Sequence, residues 1–311
     1  MIKKIRPIII AGMVMAVLVA VITCGGDDDS GIRFGGGGIA TPAIPGAEFT
    51  TRLEVPKLKT GNTFVAHTVA YNNRTVMNYC LEFDPTMMHS RWVAFRFDGI
   101  TRQRKVSRSD SWTDDPLLPT SMHVGTEYFS GYNRGHLVAS NDRRFCLEAN
   151  QQTFYMSNMS PQIGNFNSPY WAKLEQIVQH MGWNATMPDK EKDFRNFADT
   201  LYVVKGGYID DPQEVRSYIQ RPNGTRMAVP GHYFMALLRL KGTTYNAVAF
   251  WLEHKNYPYS GDTKNVPNNA FLDHIMSVDR LEQLTGIDFF HNLPDDIENR
   301  VEAECSTGLW L

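Results

Sequence analysis

The feature that most constrains the fold is a six-residue segment at 132–137, YNRGHL. In an extended strand, side chains two residues apart project to the same face. Arg134 and His136 would then reach one spot, and Gly135 would leave room behind them. A guanidinium can hold an anion by charge-assisted hydrogen bonds, and a neutral imidazole can accept a proton near neutral pH. The segment therefore predicts a strand that places an anion-binding group beside a base.

A second stretch predicts a helix over 169–181. Ser168 can cap a helix and Pro169 suits its first turn, after which apolar side chains recur at helical spacing at positions 171, 174, 177, 178 and 181. Asn167 lies just before this helix, and Glu175 lies about two turns along it, at the flank of the apolar face. A neutral amide oxygen suits a Mg²⁺ ion that keeps most of its waters.

Alternating apolar and polar residues predict further strands. They lie at 64–71, 79–83, 92–97, 201–209, 232–240 and 246–252. The last of these is nearly all apolar, so we expect it near the centre of a sheet. Helical patterns occur at 278–284 and near 271–276. Strands with mainly local neighbours among a few helices predict the α+β class.

Net charge restricts how the chain could bind a polyanion. The 311 residues, 42% hydrophobic, can form one large domain, and their formal net charge is −2. Residues 1–23 hold three basic residues and no acid, so the remainder is more acidic still. Nucleic-acid binders usually carry a basic excess. Cations must therefore be concentrated locally, and basic residues cluster at 102–108 and 134–144 around the predicted site.

The amino terminus has the pattern of an export signal. Three basic residues precede an apolar run over 7–22, which is short for a stable membrane span. The residues that end at Cys24 resemble a bacterial lipoprotein box, although Thr23 is unusual before the cysteine. The acidic tract at 25–29 resembles one that directs some lipoproteins to the cell surface.

We therefore expect a signal peptide at 1–24 with a lipid anchor on Cys24, a flexible tether over 25–60 and a folded domain over 61–311. The protein would be exported and held at the outer membrane or cell surface. Plain secretion or a periplasmic location is the alternative.

Other residue patterns exclude some chemistries. The sequence lacks Cys-x-x-Cys, His-Glu-x-x-His and Gly-x-Ser-x-Gly, the usual signatures of zinc sites and serine hydrolases. Cys80, Cys146 and Cys305 could form one disulfide in an oxidising compartment, with no indication of the pair. The aspartate pairs at 114–115, 210–211 and 295–296 adjoin proline or turn residues, which predicts solvated loops rather than a two-metal site.

In three stretches the chain resembles the DNA/RNA non-specific endonucleases of the ββα-metal type. The family patterns are (Asp/Asn)-Arg-Gly-His at 133–136, Ser-Asn-x-x-Pro-Gln at 157–162, and Asn-x-x-x-Trp-x-x-Leu-Glu at 167–175. Weaker similarity at 229–234 and 277–290 extends the resemblance over about residues 60 to 295. The resemblance implies antiparallel sheets flanked by helices, with a metal finger formed by the strand bearing His136 and the helix after Asn167.

The resemblance also implies roles for individual residues. His136 would be the general base for water, and Asn167 the direct protein ligand of one Mg²⁺, for which Mn²⁺ can substitute. Arg134 and Arg108 would hold the phosphate, and Glu175 would orient a water on the metal. An unperturbed imidazole titrates near pH ~6.5, so activity is expected to fall below about pH 6.

Asn158 is expected to contact the substrate or support the site by hydrogen bonding, with a turn cap as the alternative. Two positions depart from the common family pattern. Asn133 replaces an acidic residue, which the motif tolerates. Met235 stands where many relatives have Lys, so a substrate contact from that position would be lost.

The function that these features favour is Mg²⁺-dependent hydrolysis of DNA and RNA by a surface-tethered endonuclease. Contact with backbone phosphate rather than base edges would make cleavage indifferent to sequence. One alternative is a catalytically silent nucleic-acid-binding surface lipoprotein, and another is a phosphodiesterase for smaller nucleotides. No residue pattern indicates the oligomeric state.

Overall fold

A computed structural model describes residues 46–129, 131–190 and 192–311. The strands are β1 Thr63–Tyr71, β2 Arg74–Asp84, β3 His89–Phe97, β4 Asn133–His136, β5 Met159–Gln162, β6 Thr200–Gly207, β7 Val215–Gln220, β8 Arg226–Pro230, β9 His232–Lys241, β10 Thr244–Glu253 and β11 Ile275–Met276. The α-helices are α1 Leu147–Gln152, α2 Ala172–Trp183, α3 Val278–Thr285, α4 Asp295–Ala303 and α5 Thr307–Trp310. The α+β class is thereby confirmed.

Seven strands form one antiparallel sheet in the order β1-β2-β3-β6-β9-β10-β11. Two smaller antiparallel pairs, β4 with β5 and β7 with β8, complete the described sheets. The β1–β2 hairpin turns at Asn72 and Asn73, whose φ angles are 51° and 59°. Asparagine tolerates this left-handed conformation, which matches the twist of a two-residue hairpin.

Both faces of the large sheet are buried, because side chains alternate between two hydrophobic cores. On β3, Trp92 and Ala94 enter one core while Val93 and Phe95 enter the other. Helix α2 contributes to the second core, for example through Leu174. Helices α3 and α4 cover the opposite face. The sheet therefore separates the α2 side of the molecule from the α3–α4 side.

Several element predictions were wrong. The apolar segment in β10 was expected near the centre of a sheet, but this strand lies second from the sheet edge. Its sequence is apolar because both of its faces are buried. The helix predicted near 271–276 is a 3₁₀ turn, Asn268–Phe271, followed by β11. Ser168 is extended and caps no helix, since a π-helical turn, Phe166–Trp171, precedes α2.

The tether predicted over 25–60 includes residues that belong to the folded domain. Val55 is buried in the core beside α3 and α4, and the Lys59 amide donates to the Glu82 carboxylate. The Asn292 side chain also donates a hydrogen bond to the Thr50 carbonyl (3.0 Å). These contacts place residues from about 50 onward in the folded domain. The expectations for 1–24 and 25–45, including Cys24, lie outside the described residues.

The possible disulfide does not form among the described residues, where Cys80, Cys146 and Cys305 are all free thiols. Cys80 is buried within β2, whereas Cys305 is exposed near the end of the chain. Within the same part of the chain, no helix combines the length and the hydropathy that crossing a bilayer requires.

Candidate active site

Strand β4 presents Arg134 and His136 to one cavity, as the two-residue spacing predicts. On the other side of the strand, a Cβ atom at Gly135 would lie 2.1 Å from Gln162 Oε1. Only glycine leaves space for that side chain, which belongs to the paired strand β5. The requirement for glycine between the two functional residues is therefore steric.

The π-helical turn brings Asn167 to the same cavity. Asn165, two residues earlier, has a different role, because its amide bonds the Tyr259 carbonyl (2.5 Å) and the Tyr257 amide (2.6 Å). Asn165 thus anchors a neighbouring loop. Among the described residues, the Asn167 side chain has no hydrogen-bond partner and stays free for a ligand.

One cavity of about 770 Å³ collects five of the six predicted site residues. They are Arg108, Arg134, His136, Asn167 and Glu175. These residues come from a loop, a strand, a turn and a helix that lie up to 67 positions apart in sequence. The cavity is therefore assembled by the tertiary fold rather than by one motif.

The His136 imidazole is held by aromatic rings. Its centroid lies 5.3 Å from Trp112 and 5.0 Å from Phe154, the latter edge-to-face. Its Nε2 atom is buried without a hydrogen-bond partner in the described part of the chain. Burial, with the positive charges of Arg108, Lys205 and Arg134, lowers the pKa of His136 to about 3. The acid limit of pH 6 expected from an unperturbed imidazole is thus too high for the substrate-free protein.

Two arginines place positive charge at the rim of the cavity. The Arg134 guanidinium stacks 4.0 Å from the Trp112 ring centroid, which fixes its plane. Arg108 lies 4.7 Å from the Phe154 ring and pairs with Asp110 (2.7 Å). Both residues of the Arg108–Asp110 pair are exposed, so this ion pair is weak and the guanidinium can exchange its partner for a phosphate.

A buried ion network lies behind Glu175. Lys205 Nζ is 3.1 Å from Glu175 and 2.8 Å from Asp142, and the Asp142 and Lys205 side chains are fully buried. Burial raises the pKa of Glu175 to about 7, opposed by the Lys205 ammonium. Burial lowers the pKa of Lys205, but the two carboxylates outweigh it and the net shift is upward. Gln179 also donates to Asp142 (3.0 Å), which fixes the network to α2.

Asn158 does not contact the cavity, so the substrate contact predicted for it is wrong. The side chain is fully buried. Its oxygen accepts from the Val138 amide (2.8 Å), and its nitrogen donates to the carbonyls of Val138 and Thr153 (2.9 and 2.7 Å). Since every polar group is used, Asn158 holds the chain that follows β4 against the segment before β5.

Sequence reasoning missed Lys205 and Asp142. The available signal was a lysine inside the apolar strand β6, because a buried ammonium needs a carboxylate partner. Asp115 was also misread as a solvated loop residue. It is 1% exposed and accepts hydrogen bonds from His67 (3.0 Å) and Ser157 (2.5 Å).

Most of the clustered basic residues do not serve the site. Arg102 bonds the Ala198 and Asp199 carbonyls, and Arg104 stacks on Trp183. Arg143 is fully buried against aromatic rings. Met235, expected to cost a substrate contact, is buried in the core, where it pairs across the sheet with Lys205.

The cavity fits a hard divalent cation. Asn167, whose side chain has no hydrogen-bond partner among the described residues, and Glu175 both line the cavity, and hard cations prefer oxygen ligands. One protein oxygen from Asn167, with Glu175 acting through a water, suits Mg²⁺, which dehydrates reluctantly and takes few protein ligands.

Comparison with known proteins gives the family. A profile described as DNA/RNA non-specific endonuclease matches residues 60–296. The chain belongs to this family. Its relatives in the DNA/RNA non-specific endonuclease family include a mitochondrial nuclease of Saccharomyces cerevisiae, 32% identical over 61% of this chain and 56% of that protein. A nuclease of Nostoc is 28% identical over 73% of this chain and 76% of that protein.

Bovine mitochondrial endonuclease G is 26% identical over 70% of this chain and 68% of that protein. The chain therefore spans little more than half of the yeast relative and more of the other two. A chain in the crystal structure of the EndoG/EndoGI complex superposes with a TM-score of 0.56 at 18% identity. The superposition covers 83% of this chain and 96% of the EndoG-complex chain, and it confirms the ββα-metal nuclease fold.

Proposed function

We propose that this family member is a Mg²⁺-dependent endonuclease that hydrolyses phosphodiester bonds in both DNA and RNA. The observation that carries the proposal is the single cavity that brings two arginines, an unpartnered imidazole nitrogen and an unpartnered amide together. These groups supply phosphate binding, proton transfer and cation binding, the three requirements of phosphodiester hydrolysis.

In this mechanism, Arg134 and Arg108 bind the nonbridging phosphate oxygens and stabilise the charge that grows on them. His136 Nε2 accepts a proton from a water as that water attacks phosphorus. Burial, with these positive charges, holds the pKa of His136 at about 3. A bound phosphate offsets the positive charges, so the imidazole becomes more basic when substrate is present.

Asn167 would hold the cation, which when bound would supply positive charge at the phosphate and the departing oxygen. Glu175 lines the same cavity and would accept a hydrogen bond from a water there. Lys205 pairs with the Glu175 carboxylate and is itself positioned by its ion pair with Asp142. Because phosphate and sugar are contacted rather than base edges, cleavage would show little sequence preference.

Export and anchoring through a lipid on Cys24 are part of the proposal. Their support is the basic start, the short apolar run and the cysteine at the expected end of the signal. The protein would then act at the outer membrane or cell surface on nucleic acid outside the cell.

The activity test is incubation of the purified full-length protein with supercoiled plasmid and with structureless RNA. We expect both substrates to be degraded in Mg²⁺, internal cuts to relax the plasmid before it shortens, and EDTA to abolish cleavage. Manganese should restore the activity.

Binding without cleavage in either metal would favour the catalytically silent nucleic-acid-binding lipoprotein instead. Cleavage of dinucleotides but not of plasmid would favour the phosphodiesterase. Arg134→Ala should lower the cleavage rate, because it removes a guanidinium that would bind the phosphate. Arg104→Ala, the matched control, should match wild type, because both guanidiniums stack on tryptophan but only Arg134 lines the cavity.

A further inference from the structure

A second group of carboxylates lies on the face of the large sheet opposite the cavity. Asp279 and Glu282 on α3 and Glu302 on α4 each offer one carboxylate oxygen, and these oxygens all lie within 4.8 Å of one another. The two helices pack on the sheet through the core that contains Leu281 and Val301. The carboxylates thus meet where α3 and α4 adjoin.

Glu302 is the informative member of the group. Its side chain is buried, with the residue only 3% exposed, and its Oε1 atom has no hydrogen-bond partner among the described residues. A buried carboxylate without a partner is costly. Lys57, a basic residue of this surface, pairs with Asp288 (3.1 Å) rather than with the three carboxylates. Among the described residues, none of the three carboxylates forms an ion pair.

The surrounding charges increase the repulsion. Burial, with the charges of Glu282, Glu298 and Asp279, raises the pKa of Glu302 to about 9. Burial also raises the pKa of Glu282 to about 7, although the Phe289 amide donates to its carboxylate (2.7 Å). A bound cation would offset this repulsion.

We propose that Asp279, Glu282 and Glu302 bind one Ca²⁺ ion that joins α3 to α4. Calcium takes oxygen ligands at about 2.3–2.6 Å, so two of its ligands can lie up to about 5 Å apart, as the carboxylate oxygens do. Magnesium requires about 2.1 Å and is usually held by one or two carboxylates, while zinc prefers nitrogen and sulfur. The site stabilises the helical cover of the sheet and is independent of the proposed nuclease activity.

The test is the thermal unfolding of the full-length protein at pH 7.5 in EDTA, in about 5 mM Mg²⁺ and in about 5 mM Ca²⁺. We expect Ca²⁺ to raise Tm by about 4 °C over EDTA, because a ligand that binds only the folded state stabilises it. Mg²⁺ should give less than half of that rise. Glu302→Gln should abolish the rise, since it removes the carboxylate that would bind the ion and keeps the shape.

Two controls separate this site from others. Asp296→Asn, an exposed substitution on α4, should keep the full rise. Asn167→Ala should keep it too, which excludes an effect of Ca²⁺ in the cavity. A rise retained in Glu302→Gln, a rise lost in Asn167→Ala, or equal rises in the two metals would overturn the proposal. If Glu302→Gln does not fold, Asp279→Asn, which is only partly buried, replaces it with the same expected loss.

Discussion

His136 lies where two aromatic rings and three cations meet, and this surrounding decides its protonation state. Transfer of a charged imidazole into such a site is unfavourable, so the ring stays neutral far below its ordinary pKa. A neutral imidazole whose Nε2 has no hydrogen-bond partner among the described residues matches the general base that we propose. The arginines that depress the pKa are the groups that a phosphate would neutralise.

The depressed pKa has a consequence for stability. Its folded value, about 3, lies below the unfolded value of ~6.5, so the unfolded chain binds the extra proton between these values. The contribution of His136 is therefore complete above pH ~6.5 and is lost as pH falls towards 3. Between pH 7 and 5 the wild-type free energy of unfolding should fall by about 2 kcal/mol more than that of His136→Gln.

Urea unfolding of the two proteins at both pH values measures this difference. The buried His89 and His254, whose pKa values burial lowers to about 4, are present in both proteins and cancel. An equal loss in wild type and His136→Gln would show that the imidazole is not held neutral by its surroundings.

At the residue scale, the sequence identified the candidate site residues that lie in motifs, but not the residues that form ion pairs with them. Arg134, His136, Asn167 and Glu175 lie in recognisable local patterns, and the fold brings them to one cavity. Lys205 forms its ion pairs with residues 63 and 30 positions away. No local pattern encodes such contacts, so only the fold reveals them.

A single turn places Asn167, the proposed metal ligand, at the cavity. Because the π-helical turn sends Asn165 to the loop at Tyr257 and Asn167 to the cavity, two residues of identical chemistry have different roles. This pair offers an internal control for the register of the site.

Asn167→Ala should reduce cleavage at least about 100-fold and raise the Mg²⁺ concentration needed for half-maximal rate, since it removes the proposed protein ligand. Asn165→Ala should lower Tm while leaving the metal dependence unchanged. Plasmid cleavage across a Mg²⁺ titration, with Tm for each variant, gives both quantities. An essential Asn165 with a dispensable Asn167 would contradict the assignment.

At the element scale, alternation predicted the long strands well because their buried positions repeat every two residues. The prediction at 64–71 corresponds to β1, and that at 232–240 to β9. The β7–β8 pair and α4 were missed. Strand β7 is partly exposed throughout, and the two aspartates that begin α4 look like a loop, although acidic residues favour the first turn of a helix.

On the scale of the whole molecule, the large sheet separates the cavity from the cluster of three carboxylates. The cavity lies on the α2 side, and the Asp279–Glu282–Glu302 cluster on the α3–α4 side. Because the two sites share no residue, stability and catalysis should respond to different metals. Cys24, the residue proposed to carry the lipid, lies outside the described residues.

Cys24→Ser tests attachment. Wild-type protein expressed in a bacterium should partition into the detergent phase, since two or three acyl chains give stable anchoring. The variant should be released or remain unprocessed, with unchanged specific activity in its folded domain. Phase partitioning and mass spectrometry of the amino terminus measure both. Wild-type protein found wholly in the medium, without a lipid, would show that the signal is a plain secretory one.

The central claim, that His136 is the base in a phosphodiester hydrolase, is tested most directly by single-turnover cleavage of duplex DNA by His136→Ala. We predict that the cleavage rate falls by about 10²–10⁴ while Kd for the duplex, measured in EDTA, changes less than about threefold, because a base acts in the transition state. His123→Ala, whose side chain is outside the cavity lining, should match wild type. A cleavage rate of His136→Ala near that of wild type, or a loss that follows the loss of binding, would contradict the account.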